Sequence, residues 1–166
     1  LRRKDRNAVL CVRMIDKSTT LVNPEDQKEK TFTFDYSYWS HDGARELENG
    51  YNECSGPGLG TDGATYADQQ KVFNDLGQGV LNNAYEGFNS CLFAYGQTGS
   101  GKSYSMVGYG TNKGIVPITC DEIFKKIMSN QEPDKFQFQV TIQMLEIYNE
   151  QVRDLFAKTS PSGGLK

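Results

Sequence analysis

Residues Phe93 to Met106 read FAYGQTGSGKSYSM, a polar turn rich in glycine and hydroxyl side chains directly behind the apolar run SCLFAYG, Ser90 to Gly96. Gly96, Gly101, Lys102 and Ser103 satisfy the spacing G-x-x-x-x-G-K-[ST], whose proper setting is a strand before and a helix after. The chemistry explains the residue types. Glycines let the backbone curl until successive N–H groups face inward toward phosphate oxygens, and the opening of a helix adds the positive end of its dipole. Lys102 brings a full charge for the terminal phosphates, and the Ser103 hydroxyl is placed to ligate a bridging magnesium ion. Gln97, Thr98, Gly99 and Ser100 complete the loop.

The flanks supply the setting. Ser90 to Gly96 is a short continuous apolar run bounded by turn residues, which predicts a strand buried on both faces. Before it, Val72, Phe73, Leu76, Val80 and Leu81 mark one face of a helix, with Thr65 or Asp68 to cap its start and Gly87 to stop it. After it, Pro117 suits a first helical position, and Cys120, Ile123, Phe124, Ile127 and Met128 share a face that leaves Lys125 and Lys126 to water. Phe136, Phe138, Val140, Ile142 and Met144 alternate with polar residues before the phase slips at Leu145, predicting a long strand with a bulge. Near the start, alternation at Leu10, Val12 and Met14 and again at Phe32, Phe34 and Tyr36, with STTLV between, predicts a small antiparallel meander. Asp42 to Asp68 carries six glycines and no sustained period, so residues 42–68 read as a long surface loop. Strands interleaved with helices predict a layered α/β domain.

Composition narrows the classes. The chain has 166 residues, 37% of them hydrophobic, enough for a core. Eighteen lysines and arginines against 21 acidic residues, net charge −3, argue against a nucleic-acid binder. Cys11, Cys54, Cys91 and Cys120 lack the spacing of a zinc site or a disulfide scaffold and read as free thiols in a reducing compartment. No run approaches a membrane span, and no apolar region follows the charged opening LRRKDRNAVL, so a cytosolic protein is expected. A phosphate loop binds, but turnover needs a second carboxylate near magnesium and a residue that positions water. Glu146 is the only nominee, and a lone acidic residue on a half-buried strand is more often paired or solvent-facing. Residue spacing alone therefore supports a phosphate-loop nucleotide-binding domain and leaves open a binding-only module or an unrelated phosphate-loop NTPase or kinase.

At these residues the chain resembles a kinesin motor domain. FAYGQTGSGKSYSM is similar to that family's phosphate loop, AYEGFNSCLFAYGQTGSGKS to its approach, and GIVPITCDEIF and MLEIYNEQVRDL to the segments that follow. FTFDYSYWSH and the serine after Lys102 resemble the kinesin-3 group, most of which has a shorter segment in place of Asp42–Asp68. The resemblance implies a three-layer P-loop NTPase fold of the kinesin motor type, with a twisted central sheet flanked by helices, incomplete over residues 1–166. It implies an ATP hydrolase that uses ATP, ADP and Mg2+, moves on microtubules and is cytoplasmic and cytoskeletal. By position, Gly96 to Ser103 would wrap the phosphates, Ser103 would hold magnesium, and Tyr104 falls where the family stacks a side chain on adenine. Gly108 to Gly114 matches the loop that interrupts the helix behind the phosphate loop. The family's R-x-R-P segment and its switch segments, N-x-x-S-S-R-S-H and D-L-A-G-S-E, are expected outside these residues, so catalytic residues stay unassigned and turnover by residues 1–166 alone is not expected. Any homodimer would form through downstream segments. His41, after Trp39, reads as structural. Lys28 and Lys30 read as a solvated hairpin, although in some kinesins that hairpin reaches tubulin. Packing and turn chemistry suffice for Tyr148–Asn149–Glu150.

Overall fold

The structure, a computed structural model, describes residues 9–132 and 135–157. The charged opening LRRKDRNA and the closing SGGLK lie outside the described residues. The chain divides into two compact units, residues 1–125 and 126–166.

In the first unit, β1 (Val12–Ile15), β2 (Ser18–Val22) and β3 (Glu29–Thr33) form the expected antiparallel meander in the order β1-β2-β3. The third strand stops earlier than the alternation suggests. Ser18 pairs with Thr33, and Phe34 N–H donates to Lys17 O at 2.9 Å, after which the β1–β2 turn leaves Tyr36 nothing to pair with. In the turn between β2 and β3, Lys28 pairs with Asp26 at 2.8 Å, and Lys30 Nζ lies 5.0 Å from the Phe32 ring centroid.

Residues 42–68 are not the plain surface loop that their composition suggests. They fold into a hairpin of β4 (Ala44–Glu46) and β5 (Asn52–Cys54), a 3-10 turn at Thr61–Gly63, and a parallel bridge between Trp39 and Tyr66. Arg45 binds Glu53 across the hairpin, at 2.8 Å from Nε and 2.5 Å from Nη2. Asp42 accepts from Trp39 Nε1 and Thr61 N–H, each at 2.8 Å, and from the Thr61 hydroxyl. Trp39, Ala64 and Tyr66 are buried in consequence. His41 meets the Trp39 ring edge-on at 5.7 Å, a packing role.

Asp68 caps the next helix, its side chain accepting from Lys71 N–H at 2.8 Å. The helix runs as α1 (Gln69–Val72), a π turn at Phe73–Gly77, and α2 (Gln78–Tyr85). It ends as the sequence suggests. Gly87 has φ 87°, its N–H donates to Ala84 O, and Phe88 N–H reaches back to Asn83 O, the paired bonds of a Schellman end. After α3 (Lys102–Met106), β6 (Gly108–Tyr109) and β7 (Asn112–Lys113) make a small hairpin that leads into α4 (Ile115–Met128). Gly114 O accepts from Ile118 N–H, so α4 begins two residues ahead of Pro117, which stays in the first turn where its missing N–H costs nothing. Phe73, Leu81 and Ile115 form the buried core, with Val72, Leu76, Leu92, Ile118 and Ile123 packed against it. Tyr38 donates to Asp75 at 3.1 Å, and burial followed by that carboxylate pushes the phenol's pKa up.

In the second unit, β8 (Leu145–Tyr148) pairs with β9 (Gln151–Asp154) around Asn149 and Glu150, both at positive φ as a two-residue hairpin turn requires. Glu146 faces Arg153 across this hairpin at 3.9 Å with both side chains exposed, an ion pair rather than a metal partner. The long strand expected from Phe136 to Met144 is not formed; pairing begins where the period slips. Leu155 N–H to Met144 O at 2.8 Å is the last rung, and residues 136–143 take no strand neighbour among the described residues.

The run Ser90–Gly96 likewise takes no strand partner among the described residues, and Phe93 and Tyr95 are 81% and 95% exposed. The expectation of a strand buried on both faces is therefore not met here. An apolar run supplies side chains for a sheet, but a strand exists only through hydrogen bonds to a neighbour, and none lies alongside. All the paired strands described here are antiparallel, in one three-stranded and three two-stranded sheets.

Candidate functional site

The glycine-rich turn has the backbone its composition calls for. Gly96, Gly99 and Gly101 stand at φ 150°, 82° and 96°, a region that side chains with a Cβ enter only at a cost. A Cβ on Gly96 would lie 2.6 Å from Ser100 Oγ, whereas Gly99 and Gly101 have open space where a Cβ would point. Gly101 is the residue before α3, so Lys102, Ser103 and Tyr104 occupy the first turn of that helix.

Lys102 closes the loop on itself. Its ammonium donates to the carbonyls of Gly96 at 2.7 Å and Gln97 at 2.8 Å, and Ser100 N–H donates to Gln97 O at 3.2 Å. The charge is thus held across the mouth of the turn. Thr98, Gly99, Gly101, Lys102 and Ser103 donate their amide hydrogens to no carbonyl of the described residues. Five backbone donors and one ammonium therefore gather within six residues, with Ser103 exposed beside them. Such a donor set would suit a multiply charged anion, and the Ser103 hydroxyl would offer an oxygen ligand to a magnesium ion bound with it.

Tyr104 is held from three sides. Its carbonyl accepts from Gln69 Nε2 at 2.6 Å, its ring lies 6.1 Å from that of Tyr109, and its hydroxyl neighbours that of Tyr66. Burial first, and Tyr104 next, push the Tyr66 phenol up to about 12. Gln69 and Asn112, 3% and 8% exposed, complete the surroundings: Gln69 Nε2 also reaches Asn112 O at 3.3 Å. Asn112 Nδ2 donates to Gly50 O at 2.8 Å, and its Oδ1 accepts from Asn52 N–H at 2.8 Å. Sequence reasoning passed over Tyr66, Gln69 and Asn112, because nothing local marks a partner 35 to 62 residues away. The Gly108–Gly114 segment matched to a helix-interrupting loop is the β6–β7 hairpin, and Gly108 is obligatory in it, since a Cβ there would fall 1.9 Å from Asn112 O.

Among the described residues no group of three or more acidic, histidine or cysteine side chains is arranged to hold a metal, and no helix is long and apolar enough to cross a membrane. Cys11, Cys54, Cys91 and Cys120 are all free thiols.

Comparison with known proteins gives a consistent answer. The chain is 47% identical over 166 residues to the kinesin-like protein KIF28 of Rattus norvegicus, covering 99% of this chain and 15% of that protein. It is 44% identical to kinesin-related protein 1 of Dictyostelium discoideum, over 99% of this chain and 7% of that protein. KIF1A of Rattus norvegicus is 39% identical over 93% of this chain and 8% of its own length, in keeping with the kinesin-3 likeness. The chain thus spans less than a fifth of these relatives. Among solved structures, KIF14 with ADP in complex with a microtubule matches with a TM-score of 0.68 and 33% identity, over 99% of this chain and 40% of that one. A KIF14 dimer with AMP-PNP on a microtubule matches at 0.71 and 32%, over 98% and 39%. These likenesses bear out the kinesin-type fold, of which the described hairpins and helices are a part. The family model for the kinesin motor domain matches residues 2–166, and this chain belongs to that family.

Proposed function

We propose that residues 1–166 are the ATP-binding portion of a microtubule motor that hydrolyses ATP and moves along microtubules. The observation that carries this is the loop itself: three glycines at positive φ, five amides without an internal acceptor and the Lys102 ammonium, all within Gly96–Ser103. The amides and Lys102 bind the phosphates; on binding, Lys102 exchanges the Gly96 and Gln97 carbonyls for phosphate oxygens, which carry far more negative charge. Ser103 would hold Mg2+, which supplies charge neutralisation between the phosphates. Tyr104 packs against the base. The KIF14 structures hold ADP or AMP-PNP in complex with a microtubule, which supports nucleotide and tubulin as the ligands here and a cytoskeletal location.

Titration of a fluorescent ADP tests the site. Lys102→Ala removes a charge-assisted contact of about 1.5–3 kcal/mol, so affinity is expected to fall roughly ten- to a hundredfold. Unchanged binding would remove Lys102 from the site. Pelleting of the full-length protein with microtubules in AMP-PNP and in ADP tests the motor. Equal and negligible pelleting in both would defeat it.

A further inference from the structure

The segment 42–68 has no part in the phosphate loop, yet its hydrogen bonds lead, through Asn112 and Gln69, to the helix that follows that loop. The chain of contacts is continuous. Gly50 and Asn52, at the tip of the β4–β5 hairpin, grip the Asn112 side chain through one accepted and one donated bond, both 2.8 Å. The Asn112 carbonyl then accepts from Gln69 Nε2 at 3.3 Å, and the same nitrogen donates to the Tyr104 carbonyl at 2.6 Å. A second arm runs through Tyr66, which is 9% exposed, bridged to Trp39, and set against the Tyr104 hydroxyl. Among the described residues no buried side-chain nitrogen or oxygen lacks a partner, so the buried side-chain polar atoms of these arms are satisfied. A fully satisfied buried network has one low-energy arrangement and resists displacement. Its terminus is Tyr104, two residues beyond Lys102, while Gly96 and Gly99 receive no bond from it.

We propose that residues 50–69 act as a bracket that fixes Tyr104 for the base of the bound nucleotide, with Tyr66, Gln69 and Asn112 as positioning residues. This rests on the nucleotide reading of the site. The bracket acts on the base end alone, so its loss weakens ligands that have a base and spares those that are only phosphate.

The experiment compares ADP and inorganic tripolyphosphate, each titrated calorimetrically with Mg2+ into the full-length protein and its Tyr66→Phe and Asn112→Ala variants. Tyr66→Phe keeps the buried ring and removes only the hydroxyl, so it tests the bracket if Asn112→Ala disturbs folding. The expected result is an ADP affinity lowered about three- to tenfold in Asn112→Ala, the worth of one or two hydrogen bonds, and lowered in the same direction by Tyr66→Phe, with tripolyphosphate affinity unchanged. Normal ADP affinity in both variants, or equal losses for the two ligands, would overturn the bracket while leaving the nucleotide site intact. Failure of the unaltered protein to bind ADP would overturn the nucleotide reading, and the bracket with it.

Discussion

Two glycines two residues apart should respond to alanine in opposite directions. Gly77 closes the π turn and Gly79 lies in α2, so both gain from the better helix propensity of alanine, by about 0.5–1 kcal/mol. At Gly79 nothing lies within 4 Å of the new Cβ, and Gly79→Ala is expected to keep that whole gain. At Gly77 the Cβ would fall 2.5 Å from Phe73 Cδ2, 2.9 Å from Phe73 Cε2 and 3.1 Å from Ile115 Cγ2. Phe73 is 2% exposed and Ile115 6%, so neither can swing aside into solvent. Forcing a methyl into such a core costs about 1–3 kcal/mol, which exceeds the helical gain. Gly77→Ala should therefore lose up to about 2.5 kcal/mol net, leaving the two variants roughly 1–3 kcal/mol apart. In thermal unfolding of the motor domain followed by circular dichroism, each kcal/mol is about 2–4 °C for a domain above 150 residues. A midpoint raised by Gly77→Ala, or shifts of equal sign in both variants, would refute the reasoning. The same clash touches function, because Ile115 opens α4 directly behind the β6–β7 hairpin that borders Tyr104.

Asp68→Ala removes the cap on Lys71 N–H and should cost about 1 kcal/mol, read as faster amide exchange at Lys71 and Val72; exchange confined to other residues would refute the cap. The Thr61 side chain, then Thr61 N–H and Trp39, hold the Asp42 carboxyl down at about 2 from an ordinary 3.8. A depressed folded pKa makes that contribution complete above about pH 4 and lost as pH falls through about 2. Emission from Trp39, the single tryptophan, should shift across that window and lose the shift in Asp42→Asn; identical acid curves would contradict the clamp. The raised Tyr66 phenol works at the other extreme, its contribution complete below about pH 10 and lost as pH rises through about 12. An ultraviolet titration in which Tyr66→Phe removes no late-ionising phenolate would disprove its burial beside Tyr104.

The glycine-rich turn was legible because its signal is contiguous: residue types at fixed spacing, three of them glycines that the backbone holds at positive φ. The helix from Gln69 and its Gly87 stop were legible for the same reason, since apolar period and caps act within a few residues of themselves. Ser90–Gly96 and Phe136–Met144 show the limit of periodicity. Their alternation and apolar runs describe faces, but a strand is a relation between two segments, and among the described residues the second segment is lacking. The bracket was illegible for a different reason. Its strands are three residues long, too short for a period of two to register, and its fixings are polar bonds of Gly50 and Asn52 with Asn112 rather than apolar contacts.

That polar, long-range design follows from the shortness of α3. Five residues cannot nucleate and hold a helix unaided, since isolated helices below about 12 residues are marginal in water. The conformation of Lys102–Met106 must therefore be imposed from its ends and from outside. Gly101 sets the entry, with Ser105 N–H on Gly101 O at 2.9 Å, and Gly114 N–H on Val107 O at 2.9 Å pins the exit. The Gln69 bond to the Tyr104 carbonyl grips the backbone in the middle of the helix from outside. An apolar contact there would be free to slide along the helix, whereas the directed bond from the buried Gln69 amide fixes the height of the Tyr104 carbonyl. In the proposed site the loop supplies affinity for phosphate, while Gln69, tied through Asn112 to the β4–β5 hairpin, holds the Tyr104 end of α3 in place.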